Sequence, residues 1–183
     1  MHFNYETDRL YIRILNSSDA PQVLEFLQSN RQDFEPYESA KVPAYYTLDY
    51  QAANLHNEYY ACLNKRYVRF YVFTKDNPEQ IIGTVSFGNF REHPFSDATI
   101  GYKFDKNYRG KGYACEAIDY CLSIVFNEFR LHRIEALIMP CNISSIKLAR
   151  RLGFDLEGTA RKAININGCW EDHERYCLIN PVI

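Results

Sequence analysis

The sequence lacks the features of a membrane protein and of a nucleic-acid-binding protein. No stretch of its 183 residues approaches the roughly 20 consecutive apolar residues that a membrane-spanning helix needs. The first residues also lack the basic start and apolar run of a secretory signal. A formal net charge of −2 provides none of the basic surplus by which proteins bind nucleic acid. We therefore expect neither a membrane nor a nucleic acid as a partner.

Cysteine spacing argues against a zinc site. None of the six cysteines belongs to a CxxC pair or to a zinc-like pattern. Four of them lie in apolar segments, where a reduced cysteine behaves as a small apolar residue. The pattern predicts reduced core cysteines, a cytoplasmic location and no metal. Those four are Cys115, Cys121, Cys141 and Cys177.

Apolar residues make up 46% of the sequence and follow the periodicities of one α/β domain over residues 1–183. No internal repeat or linker interrupts them. Helices are predicted after residues 17–19, after Thr47, after residue 113 and at 142–152, and the segment 31–46 is expected to be irregular. The predicted strands are 9–15, 67–74, 80–90, 97–104, 134–139, 157–166 and 169–179, with the last two joined by a type I′ turn at Asn167-Gly168.

A glycine-rich run, RGKGYA at residues 109–114, lies where a strand meets a long helix. Its glycines let backbone N–H groups turn towards a ligand, and the helix start adds the positive end of its dipole. Together with Arg109 and Lys111, the run predicts a phosphate or pyrophosphate site. It fits neither the P-loop pattern nor the dinucleotide pattern GxGxxG, whose last position here is Cys115. The alternative is a tight turn that binds nothing.

Two motifs in this order resemble those of the GNAT N-acetyltransferase superfamily. Arg109-x-x-Gly112-x-Ala114 is similar to the family's [RQ]xxGx[GA] signature, and NISSIKLARRLGF at 142–154 is similar to its NxxSxxLxxxxGF helix. A wider resemblance, to the branch that acetylates the N-termini of ribosomal proteins, covers nearly the whole chain. It includes TDRL at 7–10, IGY at 100–102 and GCWEDH at 168–173.

The resemblance implies an α/β (α+β) fold with a mixed, mostly antiparallel central sheet flanked by helices. The sheet would splay open between its fourth strand, 98–104, and its fifth strand, 133–139. Acetyl-coenzyme A would lie in that gap, with its pyrophosphate on the loop 109–114. The implied cofactor-binding residues are Lys103, Phe104, Arg109, Gly110, Lys111, Gly112, Tyr113, Ala114, Asn142 and Ser145.

The implied chemistry is direct attack of an amine on the acetyl thioester. Ser145 is the candidate proton donor to the departing thiolate, although its hydroxyl could equally cap the helix. Asn142 has the same two alternatives, a helix cap or a cofactor ligand. Glu135 is the candidate general base, with a salt bridge to Arg133 as the alternative. Glu116, in the first helical turn, is expected to complement the helix dipole.

The acceptor is expected to be a protein N-terminal α-amine, like those of ribosomal proteins. The alternatives are a small-molecule amine (an antibiotic, polyamine or amino acid) or a non-catalytic domain that only binds coenzyme A. One wall of the acceptor site should come from residues 31–65, where Glu35 and Glu38 could attract a cation. Asp172 and His173 are candidates for shaping the same site. Edge strands in the C-terminal hairpin would allow a homodimer.

Overall fold

An eight-stranded sheet runs through the structure, a computed structural model that describes residues 2–182. Its strand order is β1-β2-β3-β4-β5-β6-β8-β7, and every pair is antiparallel except β5 with β6. The strands are β1 (Asn4–Glu6), β2 (Leu10–Arg13), β3 (Val68–Thr74), β4 (Asn77–Arg91), β5 (Asp97–Phe104), β6 (Arg133–Ile138), β7 (Asp155–Ile166) and β8 (Cys169–Ile179).

Helices cover both faces of this sheet. Short 3-10 turns at Ser17–Asp19, Glu35–Tyr37, Pro43–Tyr46 and Lys106–Tyr108 connect the longer elements. The helices are α1 (Ala20–Ser29), α2 (Arg31–Phe34), α3 (Leu48–Leu63), α4 (Tyr113–Phe129) and α5 (Ile143–Arg151).

Strand β3 shows how the sequence divides the interior into two cores. Successive side chains of a strand point to opposite faces, so Phe70 and Val72 pack with α4 whereas Tyr71 and Phe73 pack with α1 and α3. The unbroken apolar run at residues 70–73 of β3 is the pattern expected of a strand that is covered on both faces. Each face of the sheet therefore has its own layer of helix.

Strands β5 and β6 pair over only three residues. The parallel register joins Asp97 to Arg133, Ala98 to Ile134 and Thr99 to Glu135. Beyond these pairs each strand keeps its other neighbour: β5 pairs with β4 as far as Phe104, and β6 pairs with β8 as far as Ile138. The two strands diverge from that point, so the predicted splayed, mostly antiparallel sheet is confirmed.

Three details differ from the sequence prediction. The short strand β1 was not predicted, so the splayed strands are the fifth and sixth in the chain rather than the fourth and fifth. Strand β4 begins at Asn77 because the turn before it is Lys75-Asp76, and β7 begins at Asp155. The segment 31–46 contains α2 and two 3-10 turns rather than only irregular chain. Such short elements have too few residues to show a periodicity.

Strand β7 lies at one edge of the sheet, and most of its residues are exposed. An exposed edge can pair with another chain, so a homodimer through the hairpin stays a prediction.

Within residues 2–182, each helix is either too short or too polar to cross a bilayer.

Candidate active site

The divergence of β5 and β6 opens a cleft of about 730 Å³. Residues 100–104 of β5 form one side and residues 136–139 form the other. The start of α4 and the first turns of α5 line one end of the cleft, and part of the segment 31–46 lines the opposite end. The cleft therefore runs from one face of the sheet to the other, between two sets of elements.

The glycine-rich run forms the turn that leads into α4. Gly110 and Gly112 have φ angles of 76° and 83°, in the left-handed region that glycine adopts without strain. Gly112 is the N-cap residue of α4, and no side chain caps the first N–H groups of this helix. Uncapped N–H groups and the helix dipole make this turn suitable for an anion. Gly110, Gly112, Ala114 and the Arg109 side chain line the cleft.

Hydrogen bonds from the Arg9 side chain hold this turn in place. Its Nη1 donates to the Lys111 carbonyl oxygen (3.0 Å) and its Nε donates to Glu116 Oε2 (2.6 Å). The Thr7 hydroxyl donates to the other oxygen of Glu116 at 2.6 Å. Burial raises the pKa of Glu116, but the hydrogen bonds from Thr7 and Arg9 outweigh it and leave the pKa below its usual value. Glu116 thus anchors the N-terminal segment to α4, beyond the dipole role expected for it.

Backbone groups of β5 face the gap at alternate residues. Asp105 donates its N–H to Ile82 on β4 at 2.9 Å. Because backbone groups alternate between the two edges of a strand, Lys103 also faces β4, whereas Tyr102 and Phe104 face the gap. The Phe104 carbonyl oxygen there accepts a hydrogen bond from Arg109 Nε at 3.2 Å. Lys103 therefore differs from the expectation, because it reaches the cleft through its side chain rather than its backbone.

The start of α5 brings two of the predicted residues to the cleft. Asn142 is its N-cap: Oδ1 accepts hydrogen bonds from the Ser145 N–H (3.2 Å) and the Ser144 hydroxyl (3.0 Å). Asn142 therefore supplies the cap. The half-buried Ser145 hydroxyl makes no hydrogen bond among residues 2–182. Across the gap, Tyr102 donates its hydroxyl to the Ser145 carbonyl oxygen at 3.2 Å.

Two loop residues point away from the cleft. The Lys111 ammonium lies over the Tyr108 ring at 5.2 Å, and the Tyr113 ring lies under the guanidinium of Arg9 at 4.8 Å. Neither side chain lines the cleft. If these residues contact a ligand there, they do so through their backbone.

Glu135 lies outside the cleft. It belongs to the part of β6 that pairs with β5, so it comes before the point at which the strands diverge. Its carboxylate lies 3.1 Å from Arg133 Nε and 3.8 Å from Arg91 Nη2. This geometry favours the ion pair over a role as general base.

A partly buried ion pair occupies the opposite end of the cleft. Lys103 Nζ lies 2.7 Å from Glu38 Oε1, and Lys41 Nζ lies 3.2 Å from Glu38 Oε2. Burial lowers the pKa of Lys103 to about 8, against the opposing effect of Glu38. Burial raises the pKa of Glu38, but the two ammonium groups outweigh it and leave that pKa below its usual value. Glu38 is therefore an ionised carboxylate that two cations already neutralise.

The segment around Glu38 is held against the tip of the C-terminal hairpin. The Ser39 hydroxyl donates to the Asn165 carbonyl oxygen (2.9 Å), and Asn167 Nδ2 donates to the Glu35 carbonyl oxygen (2.9 Å). His173, on β8, is 3% exposed and lines the cleft. Asp172 Oδ1 accepts a hydrogen bond from the backbone N–H of Lys162 at 2.7 Å.

Several cleft residues were missed by the sequence predictions. Lys147 and Arg151 lie one turn apart on α5 and line the same end of the cleft as the glycine turn. Their i, i+4 spacing within the run 142–154 could have indicated a second anion contact. Tyr102 and Arg69 could not have been found in this way, because no local pattern marks them.

The described residues contain no group of three or more His, Cys, Asp and Glu side chains placed to hold a metal ion.

A family match covers most of the chain. The family described as the acetyltransferase (GNAT) domain matches residues 9–155. The chain belongs to this GNAT acetyltransferase family.

Individual relatives of this GNAT acetyltransferase share nearly its whole length. A probable N-acetyltransferase of Bacillus subtilis, YjcK, is 38% identical over 173 residues, which cover 94% of each protein. The alanine N-acetyltransferase of ribosomal protein uS5 from Escherichia coli is 32% identical over 177 residues, which cover 96% of this chain and 90% of the relative. The crystal structure of a ribosomal-protein-S5-alanine acetyltransferase from Vibrio fischeri superposes with a TM-score of 0.92 at 33% identity, over 98% of each chain.

Proposed function

We propose that this GNAT acetyltransferase transfers the acetyl group of acetyl-coenzyme A to the N-terminal α-amine of a protein. Two of its relatives are named as acetyltransferases of an alanine of ribosomal protein S5 or uS5, which supports a protein acceptor. The observation that carries the proposal is the opening of the sheet after Thr99 and Glu135, which continues into the uncapped start of α4. A protein acceptor of the ribosomal kind would be met in the cytoplasm.

The donor would lie along the gap-facing edge of β5. Its pyrophosphate would accept hydrogen bonds from the backbone N–H groups of residues 110–114, with Arg109 as a cation of the same turn that lines the cleft. The pantetheine arm would pair with the gap-facing backbone groups of Tyr102, as an additional strand would. Asn142 Nδ2, which the cap leaves free, would donate to the same arm.

The acetyl carbonyl would lie near the middle of the cleft, where negative charge develops on its oxygen during attack. The Phe104 N–H is a fixed donor on that side, and a fixed donor stabilises a developing oxyanion without reorganisation. As the amine nitrogen bonds to the carbonyl carbon, the carbon–sulfur bond breaks and the sulfur takes up a proton. The nitrogen gives up one proton to water, and the donor to the sulfur regains its proton from water. The Ser145 hydroxyl, unengaged and half-buried, is the donor that we assign to that sulfur.

The attacking amine must be neutral. An α-amine has a pKa of about 7.7–8.0, so a substantial fraction is neutral at physiological pH without a strong base. This removes the need for Glu135, whose carboxylate is paired outside the cleft. Burial raises the pKa of Tyr102 to about 12, so its hydroxyl stays protonated and continues to hold α5 against β5.

A panel of acceptors tests the proposal. Purified protein and acetyl-coenzyme A are incubated with peptides that begin with alanine or serine, with a peptide whose only amine is a lysine side chain, and with polyamines and free amino acids. We expect the mass of one acetyl group on the alanine peptide and the release of one thiol per acetyl transferred. Acetylation of small amines alone would overturn the protein acceptor. Binding of coenzyme A without thiol release on any acceptor would overturn the enzymatic proposal.

A further inference from the structure

One ion pair spans the end of the cleft that the segment 31–46 lines. We call this the acceptor end, because the donor would occupy the other end. Lys103 comes from β5 and Glu38 from the segment that packs over it, and both side chains line the cleft. Their charged atoms are 2.7 Å apart, and the side chains are 15% and 25% exposed. The pair is therefore largely shielded from water but still borders the space that an acceptor must enter.

Both groups retain hydrogen-bonding capacity. An ammonium has three N–H donors, and among residues 2–182 the only hydrogen bond of the Lys103 ammonium goes to Glu38. One of its other sides is covered by the Phe34 ring, whose centre is 5.0 Å from Nζ. Each Glu38 oxygen accepts from one lysine and has a second lone pair available.

Lys103 is not required to neutralise Glu38. Lys41 lies 3.2 Å from the other carboxylate oxygen and provides a second cation. Two cations around one partly buried carboxylate leave a local surplus of positive charge, which a purely structural pair would not need. The surplus lies on the group with unused donors, Lys103.

A protein N-terminus presents groups that match this pair. Its first residue carries an amine, which donates, and a carbonyl oxygen one carbon away, which accepts. Glu38 offers an acceptor for the amine, and Lys103 offers a donor for the carbonyl oxygen. A lysine side chain or a polyamine has methylene groups in place of that carbonyl and would leave the Lys103 donors unpaired. A donor left without a partner in a partly buried site makes the free energy of binding less favourable. A site that hydrogen-bonds one substrate group therefore discriminates strongly against acceptors that lack that group.

We propose that the Glu38–Lys103 pair recognises the first residue of the acceptor, with Glu38 accepting from the amine and Lys103 donating to the carbonyl oxygen of the same residue. The pair would thereby select α-aminoacyl ends over simple alkylamines. This inference rests on the proposed function and adds to it the group that the enzyme recognises beside the amine.

The test compares an alanine peptide with its alkene isostere, in which a carbon–carbon double bond replaces the first peptide bond and removes the carbonyl oxygen. The quantity measured is the ratio of kcat/KM for the two acceptors. In the wild type we expect a ratio of about 100, as for the loss of one hydrogen bond from a charged donor. Lys103→Met should lower the ratio to within twofold of one, and Lys103→Arg should restore most of it. Lys103→Ala is measured beside Lys103→Met in case that variant does not fold.

Lys106→Met is the matched control, because it removes an exposed lysine that pairs with Asp33 of the same segment at 3.3 Å. Its ratio should equal that of the wild type. A purely structural role of Lys103 would lower both kcat/KM values together and leave their ratio unchanged, which would overturn this inference alone. A wild-type ratio near one would do the same. Failure of the wild type to acetylate any peptide would overturn the proposed function and this inference with it.

Discussion

The two ends of the cleft are built in different ways. The proposed donor end consists of the turn 109–114, the gap-facing edge of β5 and the start of α5, and it offers the unpaired backbone N–H groups of an uncapped helix start. The acceptor end consists of the segment 31–46, Lys103 and the hairpin tip, and its groups are side chains paired with one another. The donor end can therefore keep one geometry for one ligand, whereas the acceptor end can change specificity by exchanging side chains.

The largest effect is expected from Gly112→Val. The φ of 83° strains a β-branched residue, and a Cβ would lie 3.3 Å from Arg9 Nη2. Loss of the turn should weaken coenzyme A binding by about 100-fold, measured by titration calorimetry. Gly168→Ala is the control, because it has the same left-handed strain (φ of 91°) at the hairpin tip. It should lower stability without changing the affinity, and equal losses in both variants would contradict the site.

Ser145→Ala should lower kcat by about tenfold or more with little change in coenzyme A affinity, because it removes only the proposed proton donor. Single-turnover measurements separate chemistry from product release. Ser144→Ala removes the neighbouring hydroxyl, which is hydrogen-bonded to Asn142, and should lower kcat by less than Ser145→Ala does.

Glu135→Gln should leave kcat unchanged within about twofold, since its partners are Arg133 and Arg91. A loss for Glu135→Gln equal to that for Ser145→Ala would restore Glu135 as a candidate base.

Asn167→Gly should affect only the acceptor end. Glycine keeps the left-handed turn at the hairpin tip but removes the Nδ2 donor to the Glu35 carbonyl oxygen. One lost hydrogen bond corresponds to about 1 kcal/mol, so KM for the peptide should rise by about fivefold. The dissociation constant of coenzyme A should not change. If the KM for the peptide and the dissociation constant of coenzyme A rose by similar factors, the two ends of the cleft would not be independent.

The smallest effect expected is on stability rather than on activity. The pKa of Glu116 is lower in the folded protein than in the unfolded chain, so Glu116 stabilises the fold above its unfolded pKa of about 4.3. That contribution is lost as the pH falls below this value through the folded pKa. Glu116→Gln should therefore lower the melting temperature by about 2–4 °C at pH 7, for a loss of about 1 kcal/mol. The difference should shrink as the pH falls below about 4.3 towards and through the folded pKa; a difference independent of pH would contradict the role of its charge.

The sequence predicted the turn and the helices of the proposed donor end, because each of these parts is contiguous in the chain. The glycine turn and the helix from Asn142 are each short runs whose spacing expresses a local backbone requirement, and the order of helices and strands followed from periodicity. The role of Arg9 was not predictable, since its partners Lys111 and Glu116 lie about a hundred residues away in the chain.

The acceptor end was predicted only in outline. Glu38 was named as a cation-attracting residue, but its neutralisation by Lys103 and Lys41 depends on contacts between distant segments. Glu135 shows the same limit from the other side. Alternation placed it on the face of Leu137, which lines the cleft, but the pairing register with Thr99 keeps Glu135 in the closed part of the sheet. Registers between distant strands carry no local signal.

The central claim is that coenzyme A binds in the opening between β5 and β6. Residue-resolved amide hydrogen exchange, with and without coenzyme A, tests it most directly. Binding should slow exchange at Tyr102 and Phe104, whose N–H groups face the gap, while the Lys103 amide, already directed at β4, changes little. Unchanged exchange at Tyr102 and Phe104 in the coenzyme A-saturated protein would contradict the claim.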